Sequence, residues 1–130
     1  MKRTLEIIPA WVLTGVTLVV ILILTLMPAP PDAPHIELFP GADKVVHGVM
    51  FGALTLVALI DWARGRPLRS VRWPICVIMA SLSSLMGVAV EYLQEAMALG
   101  RSFDTGDILA DATGAFLVAL IWTAAEKWRT

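Results

Sequence analysis

The run IIPAWVLTGVTLVVILILTLM, from Ile7 to Met27, holds 21 residues without a charge. As a helix it would extend about 31 Å at ~1.5 Å per residue, enough to cross the hydrocarbon of a bilayer. A cleaved signal peptide is the competing reading, because Lys2 and Arg3 form a basic leader. The apolar stretch is too long for that, and Pro28-Ala29-Pro30-Pro31 makes a poor cleavage site. The segment reads as a retained membrane helix.

Three further runs repeat the pattern. Val45 to Ile60 contains only His47 as an ionisable group. Trp73 to Val90 has Pro74 near its start, where the missing N–H does no harm. Ile108 to Ala125 is interrupted only by Asp111. The expected fold is all-α: an integral membrane four-helix transmembrane bundle in a single domain over residues 1–130, with spans at about 7–27, 45–62, 73–92 and 108–125. Composition agrees, since 58% of the chain is apolar, 16% is charged and the mean hydropathy is +0.77. Those values lie outside the ordinary soluble range and exclude a disordered chain. A net charge of −1 provides no global field for nucleic acid, so none is expected as a partner. Cys76 stands alone in an apolar run, which leaves neither a disulfide framework nor a cysteine-rich metal site.

Charge asymmetry sets the expected orientation. With the N-terminus inside, eight of the ten basic residues fall on the cytoplasmic side, and only Lys44 and Arg101 lie outside. Eight of the eleven acids fall outside. Trp11, Trp62, Trp73, Trp122 and Trp128 all lie near the cytoplasmic ends, as an interfacial belt requires. Both termini are therefore expected in the cytoplasm. Pro28 to Ala42 holds five of the eight prolines and reads as an extended outer loop between the first two helices. Asp61 to Arg72 reads as a basic cytoplasmic turn.

Helical spacing gathers the outer polar residues. Asp43, Lys44 and His47 share a face where the second span begins. Glu91, Gln94 and Glu95 follow i, i+3, i+4 where the third span ends. Asp107, Asp111 and Gly114 follow i, i+4, i+7 on the fourth, with Arg101 and Asp104 in the loop before it. Some of these have purely structural readings. Asp43 and Asp104 suit helix N-caps, and Asp104-x-x-Asp107 has capping-box spacing. Gly48-x-x-x-Gly52 suits a close helix contact. His47 and Asp111 resist such readings, because ionisable groups a helical turn inside a membrane boundary face the protein interior and mark function. Six acids against Lys44 and Arg101 give the cluster a formal charge of −4 if all are ionised. Such an excess in a partly dry place calls for protons, ion pairing or a bound cation, so a divalent cation is a candidate cofactor.

The ordered pattern Asp43-Lys44-x-x-His47-x-x-x-Phe51, Glu91-x-x-Gln94 and Arg101-x-x-Asp104-x-x-Asp107-x-x-x-Asp111-x-x-Gly114 resembles the VanZ-like family over nearly the whole chain. The chain departs from that pattern at Asp111, where asparagine is common in the family, and at Val118, where a second small residue often follows. The resemblance implies a multi-pass protein of the bacterial inner membrane, and the family's namesake confers teicoplanin resistance. Candidate ligand-binding residues are Asp43, Lys44, His47, Glu91, Gln94, Arg101, Asp104, Asp107 and Asp111, with His47 and Asp107 as candidates for any catalytic role. Expected partners are the lipid bilayer and a lipid-linked envelope precursor or lipoglycopeptide. Three other readings stay open at this level. One is an enzyme acting on a lipid headgroup, with or without a metal. The others are proton-coupled transport and a purely structural ion-pair network.

Overall fold

A computed structural model describes residues 7–27, 39–64, 71–97 and 103–129. Four helices follow in order: α1 (Val12–Leu26), α2 (Ala42–Ala63), α3 (Trp73–Ala96) and α4 (Thr105–Arg129). No strand occurs among the described residues. The last three, at 22, 24 and 25 residues, are long and apolar enough to cross a membrane. Residues 28–38 of the proline-rich connection, residues 65–70 of the basic turn, and Arg101 lie outside the described residues.

α1 is shorter than the uncharged run that contains it. It has 15 residues, about 22 Å of helix at ~1.5 Å per residue. Pro9 cannot donate a backbone hydrogen bond, and Trp11 adopts a left-handed conformation with φ 69°. Trp11 supplies no side-chain cap. The cap comes from another helix instead. Asp61 of α2 accepts the Thr14 backbone N–H at 2.9 Å and the Thr14 hydroxyl at 2.6 Å. Arg64 pairs with Asp61 at 2.9 Å and also donates to the carbonyls of Ile8 and Pro9. The other helices outrun their apolar stretches, beginning at Ala42 and Thr105 and ending at Ala96 and Arg129. Hydropathy marks where the lipid-compatible sequence stops, whereas backbone hydrogen bonding continues through the charged turns beyond it.

α2 and α4 make the closest pair, and α4 also packs along α3. Glycine explains the approach. A Cβ on Gly114 would collide with the Gly48 backbone, and one on Gly52 would lie 3.2 Å from the Gly114 carbonyl oxygen. The helices therefore meet backbone to backbone, as small-residue motifs permit in membranes. Between α2, α3 and α4 the buried core toward the Arg64 end uses Leu59, Cys76, Met79, Ala80, Ala115 and Ala119. A second buried group, Ile21, Phe51, Leu54 and Val90, brings α1 onto α2 and α3. The outward surface is itself apolar, with Val16, Val49, Leu85 and Leu120 more than half exposed. Such a surface is a liability in water and suited to lipid.

Candidate functional site

One end of the bundle collects the starts of α2 and α4 and the close of α3. α2 begins after Gly41, which takes φ 83° and serves as its N-cap residue. Asp43 therefore does not cap the helix. It stands in the first turn, where a carboxylate complements the helix dipole. For α4 the capping expectation holds: Asp104 Oδ1 accepts the Gly106 backbone N–H at 2.8 Å. The reciprocal half of the capping box is supplied differently. The Asp104 N–H donates to Glu91 Oε2 on α3 at 3.1 Å, which ties two helix ends together.

From the rim inward the side chains form a graded series. Asp43 is half exposed at 51%, Asp107 is at 13%, and Glu91 and Asp111 are fully buried. Lys44 sits at the rim, with its ammonium 2.9 Å from Asp104 Oδ2, 3.1 Å from Asp107 Oδ1 and 3.7 Å from Asp43 Oδ2. The Lys44 ammonium holds the Asp104 carboxyl below the usual carboxylate range, with help from the Gly106 N–H. Deeper in, His47 Nδ1 lies 3.1 Å from Asp111 Oδ1, and its Nε2 lies 3.7 Å from Asp107 Oδ2. The imidazole is thus clamped by a buried carboxylate on one nitrogen while the other faces Asp107. Phe51, one turn below His47 on α2, has no exposed surface and belongs to the core group of Ile21, Leu54 and Val90.

Seven of the expected residues converge: Asp43, Lys44, His47, Glu91, Asp104, Asp107 and Asp111. Gln94 is buried but engaged elsewhere, donating from Nε2 to the Thr25 carbonyl of α1 at 2.7 Å. Glu95 is exposed. Arg101 falls outside the described residues. With five carboxylates around one lysine, the described cluster keeps a formal excess of −4 when His47 is neutral. Two contributors were not legible in the sequence. A Cβ on Gly87 would lie 2.5 Å from Asp111 Oδ2, so this glycine makes room for the buried carboxylate. Phe103, two residues before α4, packs on Tyr92 of α3 with ring centroids 5.0 Å apart.

Running inward from Lys44 between α2 and α4 is a groove of about 520 Å³. Small residues open it, among them Gly48, Gly52, Ala53, Ala110 and Gly114, with Leu56 and Leu117 along its walls. The groove is apolar apart from Lys44 and Thr113, so it can hold a hydrocarbon chain below a polar head. A family model described as VanZ/LLP1 matches residues 8–126. No curated protein and no solved structure matches the chain.

Proposed function

Because the chain belongs to the VanZ/LLP1 family, we propose that it is a bacterial inner-membrane protein that binds a lipid-linked envelope component or a teicoplanin-type lipoglycopeptide at the outer leaflet. In this reading both termini are cytoplasmic and the charged end of the bundle faces outward, in keeping with the eight basic residues that charge asymmetry in the sequence assigns to the cytoplasm. The headgroup meets Lys44, His47, Asp104 and Asp107, while the acyl chain lies along the groove between α2 and α4. The single observation that carries this is Lys44, which both pairs with the acidic cluster and lines the mouth of the apolar groove. A ligand with a polar head and a lipid tail matches that junction, whereas a purely polar solute would leave the groove unused.

Susceptibility of a sensitive host tests the proposal. Expression of the wild type is expected to raise tolerance to teicoplanin, which carries a lipid tail, and to leave vancomycin tolerance unchanged. His47→Ala and Asp107→Ala are each expected to abolish the gain at equal protein abundance. Ala53→Phe, which fills the groove from its exposed side, is expected to reduce it. Full protection retained by both polar variants would remove the cluster from the mechanism.

A second reading draws on the Asp111–His47 pair. An imidazole fixed through Nδ1 presents Nε2 as a general base, which suits an enzyme acting on a lipid headgroup. Turnover of candidate phospholipids by the purified protein, lost in His47→Gln, would favour that reading over simple binding.

A further inference from the structure

The one lysine of the cluster does not serve all of its carboxylates equally. At the rim, Asp43, Asp104 and Asp107 bring oxygens within 4.8 Å of one another, but the Lys44 ammonium already stands within 2.9–3.7 Å of all three. That trio has its cation. The deeper trio, His47, Glu91 and Asp107, also brings one donor atom each within 4.8 Å, and Lys44 reaches only the outer oxygen of Asp107. Glu91 has no exposed surface, and its Oε1 has no hydrogen-bond partner among the described residues. A buried carboxylate oxygen left in that condition is costly unless a cation or proton meets it.

The spacing within the deeper trio is informative. His47 Nε2 and Asp107 Oδ2 are 3.7 Å apart, too far for a hydrogen bond. Two donors that share one divalent ion at about 2.0–2.2 Å stand roughly 3–3.6 Å from each other. The pair is therefore separated nearly as two ligands of one ion would be. His47 is also prepared in the manner of a metal ligand. Its Nδ1 is held by the Asp111 carboxylate at 3.1 Å, which fixes the ring and directs the Nε2 lone pair at Asp107.

We propose that His47 Nε2, Asp107 Oδ2 and one carboxylate oxygen of Glu91 form a divalent-cation site, with Asp111 as the positioning residue behind His47. One imidazole and two carboxylates suit Mn²⁺ or Zn²⁺ better than a site built for Ca²⁺ or a thiolate-seeking ion. Three protein ligands leave coordination positions open toward the rim, where an anionic oxygen of a headgroup can complete the shell. The inference deepens the headgroup-binding reading and rests on it only for the occupant of those open positions.

The test titrates full-length protein in nanodiscs, stripped with EDTA, with MnCl₂, following the free-ion signal by electron paramagnetic resonance. ZnCl₂ is then added as competitor. The expected result is one ion bound per chain and displaced by Zn²⁺. Glu91→Gln and His47→Gln should each weaken Mn²⁺ affinity by about 100-fold or more, and Asp111→Asn by about 10–100-fold. Glu95→Gln, exposed at the same end, should leave it unchanged. Helicity and elution volume establish that each variant is folded, and His47→Gln carries the test if Glu91→Gln is not. Absence of stoichiometric binding in the wild type, or full affinity retained in both ligand variants, overturns the site. No lipid or antibiotic is present in the titration. Its failure therefore leaves the susceptibility result standing, and a null susceptibility result leaves the metal site standing.

Discussion

His47 shows how one residue is defined by several helices. In the sequence it is an ionisable group in an apolar run, with Asp107 and Asp111 four apart on another helix. That much was legible, because i, i+4 spacing puts both carboxylates on one face wherever the helix packs. The clamp by Asp111 depends on Gly87 of α3, whose missing side chain no spacing rule connects to position 111. Gly87→Ala is expected to push Asp111 off Nδ1, seen as a changed imidazole nitrogen shift for His47 in NMR of labelled protein. An unchanged His47 spectrum would mean that Asp111 adjusts in place. Asp104 carries the pH prediction. Its carboxyl lies below the usual range in the folded chain because Lys44 pairs with it. Its contribution to stability is therefore complete above the ordinary aspartate value of about 3.9, and is lost as pH falls below that through the lower folded value. The stability difference between wild type and Asp104→Asn should be constant from neutral pH to about 5 and shrink only at stronger acidity.

At the scale of elements, a close helix contact at Gly48-x-x-x-Gly52 was anticipated, and the structure supplies Gly114 of α4 as its partner. Small residues at helical spacing reveal that a close approach exists, although not which helix approaches. Gly114→Ala places a methyl group against the Gly48 backbone and should cost about 1–3 kcal/mol, read as a lower unfolding midpoint in detergent. An unchanged midpoint would show that the helices separate without penalty. The entry to α1 was not legible. The residues from Leu5 to Trp11 offer no Ser, Thr, Asp or Asn as a cap, and Asp61 is 47 residues from Thr14. Asp61→Ala leaves Arg64 and the start of α1 without their shared carboxylate. Loss of one partner from so buried a pair should cost about 3–5 kcal/mol, whereas an exposed pair would cost far less.

At the scale of the whole molecule, the four described helices alternate in direction. Thr14 of α1 meets Asp61 at one end, while Lys44 of α2 meets Asp104 at the other. Labelling from each side of the membrane checks this arrangement. In a Cys76→Ser background, Phe39→Cys and Phe103→Cys should react with an impermeant maleimide from one side, and Lys127→Cys only from the other. Labelling of Phe39→Cys and Lys127→Cys from the same side would contradict the alternation. The sequence by itself determined that the chain is helical, that it holds four apolar runs suited to a bilayer, and that its acids gather near helix ends. It could do so because hydrophobic period and run length are local properties of a chain. Only the tertiary structure decided that Lys44 pairs with the rim carboxylates, that Gln94 serves α1, and that Glu91 turns inward toward His47 and Asp107. Those outcomes depend on distances between helices set by where glycine lets backbones touch, and no spacing within one helix encodes them.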